Sequence, residues 1–272
     1  MHELTVWQAL VLGTLQGLTE FLPVSSSAHL ALTPWVLGWP PAGLGFDLAL
    51  HVGTLVALLW YFRLEWIALS GGAWRIVTTG RVADEQARRA LFIAIATVPA
   101  GIVGLLLADL AETVLRAPII TAIALIVMGA LLWGVDANAR ADRARAAMTW
   151  RDALWIGLAQ CLALVPGVSR SGSTITAGRA LGFARGDAAV FSFLMSMPII
   201  LAAAIFKVPD AIRVSGITLP LVVGVAAAGI SSWLAIAVLL RYVSRRSFRV
   251  FALYRFALGA VILWLIATRG GW

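Results

Sequence analysis

Long apolar runs alternate with short polar connections along this chain, and six of the runs approach the ~20 residues that a helix needs to cross a bilayer core. They fall at roughly 44–62, 90–108, 117–135, 188–206, 217–240 and 251–268, and each predicts a membrane-spanning helix. Trp60, Trp66, Trp133 and Trp264 stand at or near the ends of these runs, where an amphipathic ring suits the interface. The pattern predicts an all-α polytopic membrane protein built as a single domain over 1–272.

Two further apolar segments, 5–43 and 151–187, are interrupted by Pro, Gly and clustered hydroxyls. Each must return to the side it entered from if the charged connections are to alternate, so each reads as a re-entrant helix pair. Broken backbone at membrane depth is tolerated only when it is buried in protein or lines a wet cavity, so the breaks point to a site. Thr5–Ser27 also aligns without gaps to Thr149–Ser171 at a constant offset of 144, with nine identities that include Thr5/Thr149, Gly13/Gly157, Gln16/Gln160, Ser25/Ser169 and Ser27/Ser171. Halves at approximately 1–140 and 145–272 then each hold one re-entrant pair and three crossings. Because three is odd, the second half is expected to be inverted relative to the first, with the broken helices meeting near the midplane.

Composition removes the soluble alternatives. The chain is 61% hydrophobic and 12% charged with a mean hydropathy of +0.93, far from a soluble domain. The formal charge of +8 falls in short clusters between apolar runs, with no basic stripe of the kind that binds nucleic acid. Lys and Arg number five in 63–89, four in 136–152 and four in 241–250, against four in the connections of the opposite side. The richer side is cytoplasmic by the positive-inside rule, which puts both termini outside. The N-terminus has no cationic region, so no cleaved signal peptide is expected. A single cysteine, Cys161, excludes disulfides within the chain and cysteine metal sites.

The polar residues left at membrane depth carry the chemistry. Gln16 and Glu20 are four apart and share a helix face before Pro23 breaks it. A carboxylate there costs ~2.5–3.5 kcal/mol on insertion scales unless paired or hydrated, so Glu20 is either a plug on broken backbone or a ligand for a divalent cation. Ser25, Ser26 and Ser27 exceed what one helix cap needs, although any one of them could be that cap. His29, otherwise an interior histidine, has beside them the composition of a base with its nucleophile. In Pro166–Thr174, Arg170 stands among Ser169, Ser171, Ser173 and Thr174, with Gly167 and Gly172 allowing close backbone approach. Its planar guanidinium suits phosphate oxygens, and the alternative is a structural pair with Glu20. Asp47 and His51 share a helix face where hydration explains them, Arg179 and Arg185 are expected to face headgroups or water, and Arg255 to snorkel to the inner interface. A carboxylate, an imidazole, hydroxyls and an arginine in two breaks form a phosphoryl-transfer set.

The stretches Gln16-Gly-Leu-Thr-Glu-Phe-Leu-Pro-Val-Ser-Ser-Ser-Ala-His29 and Pro166-Gly-Val-Ser-Arg-Ser-Gly-Ser-Thr174 resemble the undecaprenyl-diphosphate phosphatases, also called bacitracin-resistance proteins, and the likeness runs over nearly the full chain. The resemblance implies a bacterial inner-membrane hydrolase that converts undecaprenyl diphosphate to the monophosphate, recycling the lipid carrier for peptidoglycan, with its site facing the periplasm. It places the acidic motif on Gln16 and Glu20, the hydroxyl and imidazole on Ser26 and His29, and diphosphate binding on Ser169, Arg170 and Thr174. It also implies a divalent cation, Mg2+ or Ca2+, which the single carboxylate of this motif would hold partly through substrate oxygens. Ser26 activated by His29 is the preferred nucleophile, with a phosphohistidine as the alternative. Expected partners are the polyprenyl diphosphate and membrane lipids, with no nucleic acid and with a homodimer admitted. A lipid transporter or flippase is the rival function, since broken helices in inverted repeats also serve alternating access.

Overall fold

The computed structural model describes residues 4–107, 115, 117–140 and 143–269. Among them are eleven α-helices: α1 Val6–Phe21, α2 Ser26–Leu37, α3 Leu44–Tyr61, α4 Arg63–Thr79, α5 Glu85–Leu106, α6 Pro118–Asn138, α7 Trp150–Cys161, α8 Arg170–Ala180, α9 Arg185–Ser215, α10 Leu219–Val243 and α11 Arg249–Arg269. Five of these, α5, α6, α9, α10 and α11, are long and apolar enough to cross a membrane, and a sixth span is available from α3 with α4, which meet at an 86° bend. The protein is thus a helical multi-pass membrane protein, as the apolar runs predict. The expected connection 109–116 lies outside the described residues except for 115.

The two broken segments are built alike. Thr5 closes a capping box with Gln8 at the start of α1, and Thr149 closes one with Asp152 at the start of α7. α1 ends at Phe21 and α7 at Cys161, the latter continued by a 3-10 turn over Leu162–Leu164, and the residue before each proline, Leu22 and Val165, is extended, the conformation that a following proline ring imposes. The next helices begin on serines in the left-handed region, Ser25 with φ 75° and Ser169 with φ 69°. Their hydroxyls accept from the backbone N–H of Ala28 and Gly172 respectively. A non-glycine residue in that region is strained, and here the cap and the surrounding packing hold it.

Small residues set how closely these segments dock. A Cβ on Gly13 would lie 2.2 Å from the Gly224 carbonyl oxygen of α10, and one on Gly17 would lie 2.0 Å from Ser231 Oγ. On α7, a Cβ on Gly157 would meet the Ala96 oxygen of α5 at 2.5 Å. Backbone contact of this kind drives helix association where lipid removes the hydrophobic incentive. So α1, from the first half, packs on α10 of the second, while α7 packs on α5 of the first. Gly17→Val should therefore destabilise the protein by ~1–3 kcal/mol or more, read as a lowered unfolding midpoint in detergent, since the obstacles are mostly backbone. An unchanged midpoint would contradict this packing.

Three expectations fail here. The connection 63–89 contains α4, which packs on α5 through Leu69 and Gly72; its mixture of Arg63, Glu65, Arg75 and glycines hides the helix from a span-length pattern. Arg179 does not face headgroups. It is fully buried, and its Nε donates to Asp136 Oδ1 at 2.8 Å. Arg185 donates to the same oxygen at 2.8 Å, and the Phe248 N–H reaches Asp136 Oδ2 at 3.0 Å, so one buried carboxylate ties α6, α8, α9 and the start of α11 together. Arg255 does not snorkel either; it is fully buried, as the site below explains.

Candidate active site

Glu20 sits on the last turn of α1, 7% exposed, where the capped helix delivers it beside the break. Its Oε1 accepts from Arg170 Nη2 at 2.6 Å, joining residues 150 apart in sequence. Its Oε2 accepts from Ser26 Oγ at 2.7 Å and from Gln16 Nε2 at 3.0 Å. Three of the residues singled out by the sequence thus converge on the carboxylate of a fourth. Ser26 is half-buried and Ser27 is exposed, so the reacting side of the cluster is open while its base is closed. Ser171 fastens the two breaks directly, its hydroxyl in hydrogen-bond range of the carbonyls of Glu20 at 3.3 Å and Leu22 at 3.0 Å.

The other predicted residues divide by what they touch. Ser25 and Ser27 share a hydroxyl contact at 3.1 Å, as do Ser169 and Ser171. Ser173 and Thr174 donate back to the Arg170 carbonyl at 3.1 and 2.8 Å, and Thr174 also meets Ser192 Oγ at 2.7 Å. Those two hydroxyls shape the first turn of α8 and are not aimed at Glu20. His29 places Nδ1 2.7 Å from the Ser25 carbonyl oxygen and Nε2 2.6 Å from the Tyr254 hydroxyl. Since a carbonyl can only accept, Nδ1 carries the hydrogen, and the neutral ring's Nε2 accepts from Tyr254. Ser26 therefore meets Glu20 in this structure and not His29.

Three functional candidates escaped the sequence reading. His51 on α3 brings Nε2 to 3.6 Å from Glu20 Oε2. Tyr254 on α11 stacks on His29 with ring centres 5.6 Å apart and planes 4° apart. Its neighbour Arg255 donates to the carbonyls of Pro23 at 3.2 Å, Gly167 at 2.7 Å, Val168 at 2.9 Å and Leu125 at 3.2 Å. One guanidinium thus saturates backbone freed by both breaks, which is how a charge survives at depth without a carboxylate partner among the described residues. The available signal was an arginine in an apolar span, and assigning it to snorkelling lost it. Arg170, Arg255 and the N-termini of α2 and α8 outweigh Glu20, so the cluster favours an anion.

Two buried polar atoms of the Glu20 cluster are left without partners, Gln16 Oε1 and Arg170 Nη1. One is an oxygen donor for a hard cation and the other a donor for a phosphate oxygen, so the residues fit a bound metal–phosphate pair. Among the described residues no three His, Cys, Asp or Glu side chains gather to form a complete protein cage. The donor set suits an ion that keeps substrate oxygens in its shell.

Residues 9–261 match the family model described as bacitracin resistance protein BacA. A protein of Gemmatimonas aurantiaca named undecaprenyl-diphosphatase is 61% identical over 266 residues, covering 98% of this chain and 100% of the relative. Proteins of the same name from Pelotomaculum thermopropionicum and Alcanivorax borkumensis are 47% and 45% identical, over 98% and 96% of this chain and 98% and 99% of their own. A match that runs from α1 into α11 and takes in both breaks leaves one assignment: the chain belongs to the bacitracin resistance protein BacA family.

Proposed function

We propose that this protein is an undecaprenyl-diphosphatase, which hydrolyses undecaprenyl diphosphate to undecaprenyl phosphate and inorganic phosphate. It thereby recycles the carrier for peptidoglycan synthesis and resists bacitracin. The observation that carries the reading is the Glu20 cluster, where Arg170 and Ser26 from separate breaks share one buried carboxylate. Such a set combines a nucleophile, a proton acceptor and a phosphate clamp.

On this reading Arg170 leaves Glu20 to grip the terminal phosphate through Nη1 and Nη2. Ser26 Oγ attacks phosphorus in line, its proton passing to the Glu20 carboxylate 2.7 Å away, and the bond to the bridging oxygen breaks to release the lipid monophosphate. Water then cleaves the phosphoserine. A divalent cation, Mg2+ or Ca2+, held by Glu20 and Gln16 would supply charge neutralisation on the phosphate oxygens. His29, fixed by Ser25 and Tyr254, borders the break from the far side.

The halves are read as inverted repeats, supported by the shared capping boxes and the two left-handed serines 144 residues apart. We read the chain as an inner-membrane protein with its termini outside, an orientation that the basic connections support. His51, two turns into α3 from its external end, supports a site that opens to the periplasm.

Purified wild-type protein in detergent, with no gradient present, should release inorganic phosphate from undecaprenyl diphosphate, and Ser26→Ala should lower kcat about 10³-fold or more. No release by the wild type would favour transport. Near-normal release by Ser26→Ala, with acid-labile phosphate on His29, would move the nucleophile to the histidine.

A further inference from the structure

The imidazole of His51 faces Glu20 in a way that hydration does not explain. His51 Nδ1 lies 2.8 Å from the Asp47 carbonyl oxygen one turn earlier on α3. A carbonyl only accepts, so Nδ1 carries the hydrogen, and Nε2 is the ring nitrogen turned toward Glu20. Nε2 is 3.6 Å from Glu20 Oε2, longer than a hydrogen bond, on the carboxylate that pairs with Arg170. A nitrogen and an oxygen therefore face each other across a gap that no hydrogen bond closes. A further oxygen, Gln16 Oε1, is buried without a partner on the residue that donates to the same Glu20 oxygen.

One cation can bridge a nitrogen and two oxygens set out like this. Ligands at ~2.1 Å from a small divalent ion lie roughly 3 Å apart at a right angle and farther at wider angles, so 3.6 Å suits two members of one coordination shell. We infer that His51 is a metal ligand of the active site, binding the catalytic divalent cation through Nε2 together with Glu20 Oε2 and Gln16 Oε1. The Asp47 carbonyl is the positioning group that fixes the metal-binding tautomer, as outer partners of ligating histidines do. This rests on the phosphatase reading and adds to it a residue from a third helix. It also bears on cation choice. An imidazole favours transition ions over Ca2+, so a site with His51 should prefer Mn2+ more than one built from oxygens alone.

The test is magnetic, so it reads the site independently of turnover. Untagged full-length protein in detergent is loaded with Mn2+ and inorganic phosphate, and electron spin-echo modulation is recorded for coupling to an imidazole ¹⁴N. The chain has three histidines, which makes the assignment tractable. Wild type and His29→Ala should show the coupling. His51→Ala should lose it and bind Mn2+ about 10–100-fold more weakly, at least the effect of losing an outer partner of a ligand. His51→Gln should bind without the coupling and shift the activity ratio toward Ca2+. Wild-type protein that hydrolyses the diphosphate in Mn2+ but shows no nitrogen coupling would overturn the assignment and leave the phosphatase standing. Coupling that persists in His51→Ala would overturn it as well. Coupling without hydrolysis would keep the ligand and overturn the phosphatase.

Discussion

Arg170→Ala is expected to lower kcat/KM for phosphate release about 10³–10⁵-fold, the range by which an arginine that stabilises a transferring phosphoryl group accelerates the reaction. The expectation follows from the two hands of this guanidinium. One, Nη2, is occupied by Glu20 at 2.6 Å, and the other, Nη1, is buried with nothing to donate to. A purely structural arginine would have both satisfied. Removing it also strands a buried carboxylate, and breaking a buried pair costs ~3–5 kcal/mol, so stability must be followed in the same samples. The double variant Glu20→Gln/Arg170→Ala separates the effects: it should recover much of the lost thermal stability and none of the activity. Arg170→Lys keeps the charge but not the planar fork, and should fall between wild type and alanine. If alanine keeps activity within tenfold of wild type, Arg170 is a strut for Glu20 and the clamp lies elsewhere.

The second large effect is expected at Arg255. Its carbonyl partners at Pro23, Gly167 and Val168 belong to non-helical backbone, where no later N–H takes the donor's place. An orphaned buried acceptor costs ~1–3 kcal/mol, so three of them outweigh the relief of removing one desolvated charge. Arg255→Met should lower the unfolding free energy by at least ~3 kcal/mol and leave little phosphate release. The two losses share a cause, since the carbonyls it holds shape both breaks. Arg255→Lys, which can serve only part of that set, should recover part of each. A methionine variant as stable and active as wild type would show that the breaks hold themselves.

What could be read in advance depended on how far apart the interacting groups lie along the chain. The spans were legible because each is a local, unbroken apolar run, and α5, α6, α10 and α11 fall within a few residues of expectation. The breaks were legible because proline acts on the residue before it, and Leu22 and Val165 take the extended form it requires. Although Ser26, beyond the break, was expected beside His29 and meets Glu20 instead, the pairing of Gln16 with Glu20 was likewise within reach of helix spacing. The partners that make sense of Arg179, Arg255 and His51 were not. Arg179 is neutralised by Asp136, 43 residues earlier on another helix, and Arg255 by backbone carbonyls that no residue type announces. The hydroxyls of 169–174 show the converse error. A run of serines and threonines suggests ligand donors, yet Ser173 and Thr174 spend their hydrogens on the turn that carries Arg170. α4 was hidden because Arg63, Glu65, Arg75 and its glycines interrupt the apolar run by which a span is recognised.

The pairing of Glu20 with Arg170 also constrains how the protein is made. At ~5–20 residues per second of synthesis, the 150 residues between them take roughly 8–30 s to emerge, so the carboxylate enters the membrane long before its countercharge exists. Arg255, which closes both breaks, emerges later still. The first broken segment must therefore wait at the translocon in a hydrated or protonated form, and assembly ends when α8 and then α11 arrive. Translation that stops between α7 and α11 would leave an intermediate with an unpaired acid and open backbone, the kind of product that membrane quality-control proteases remove.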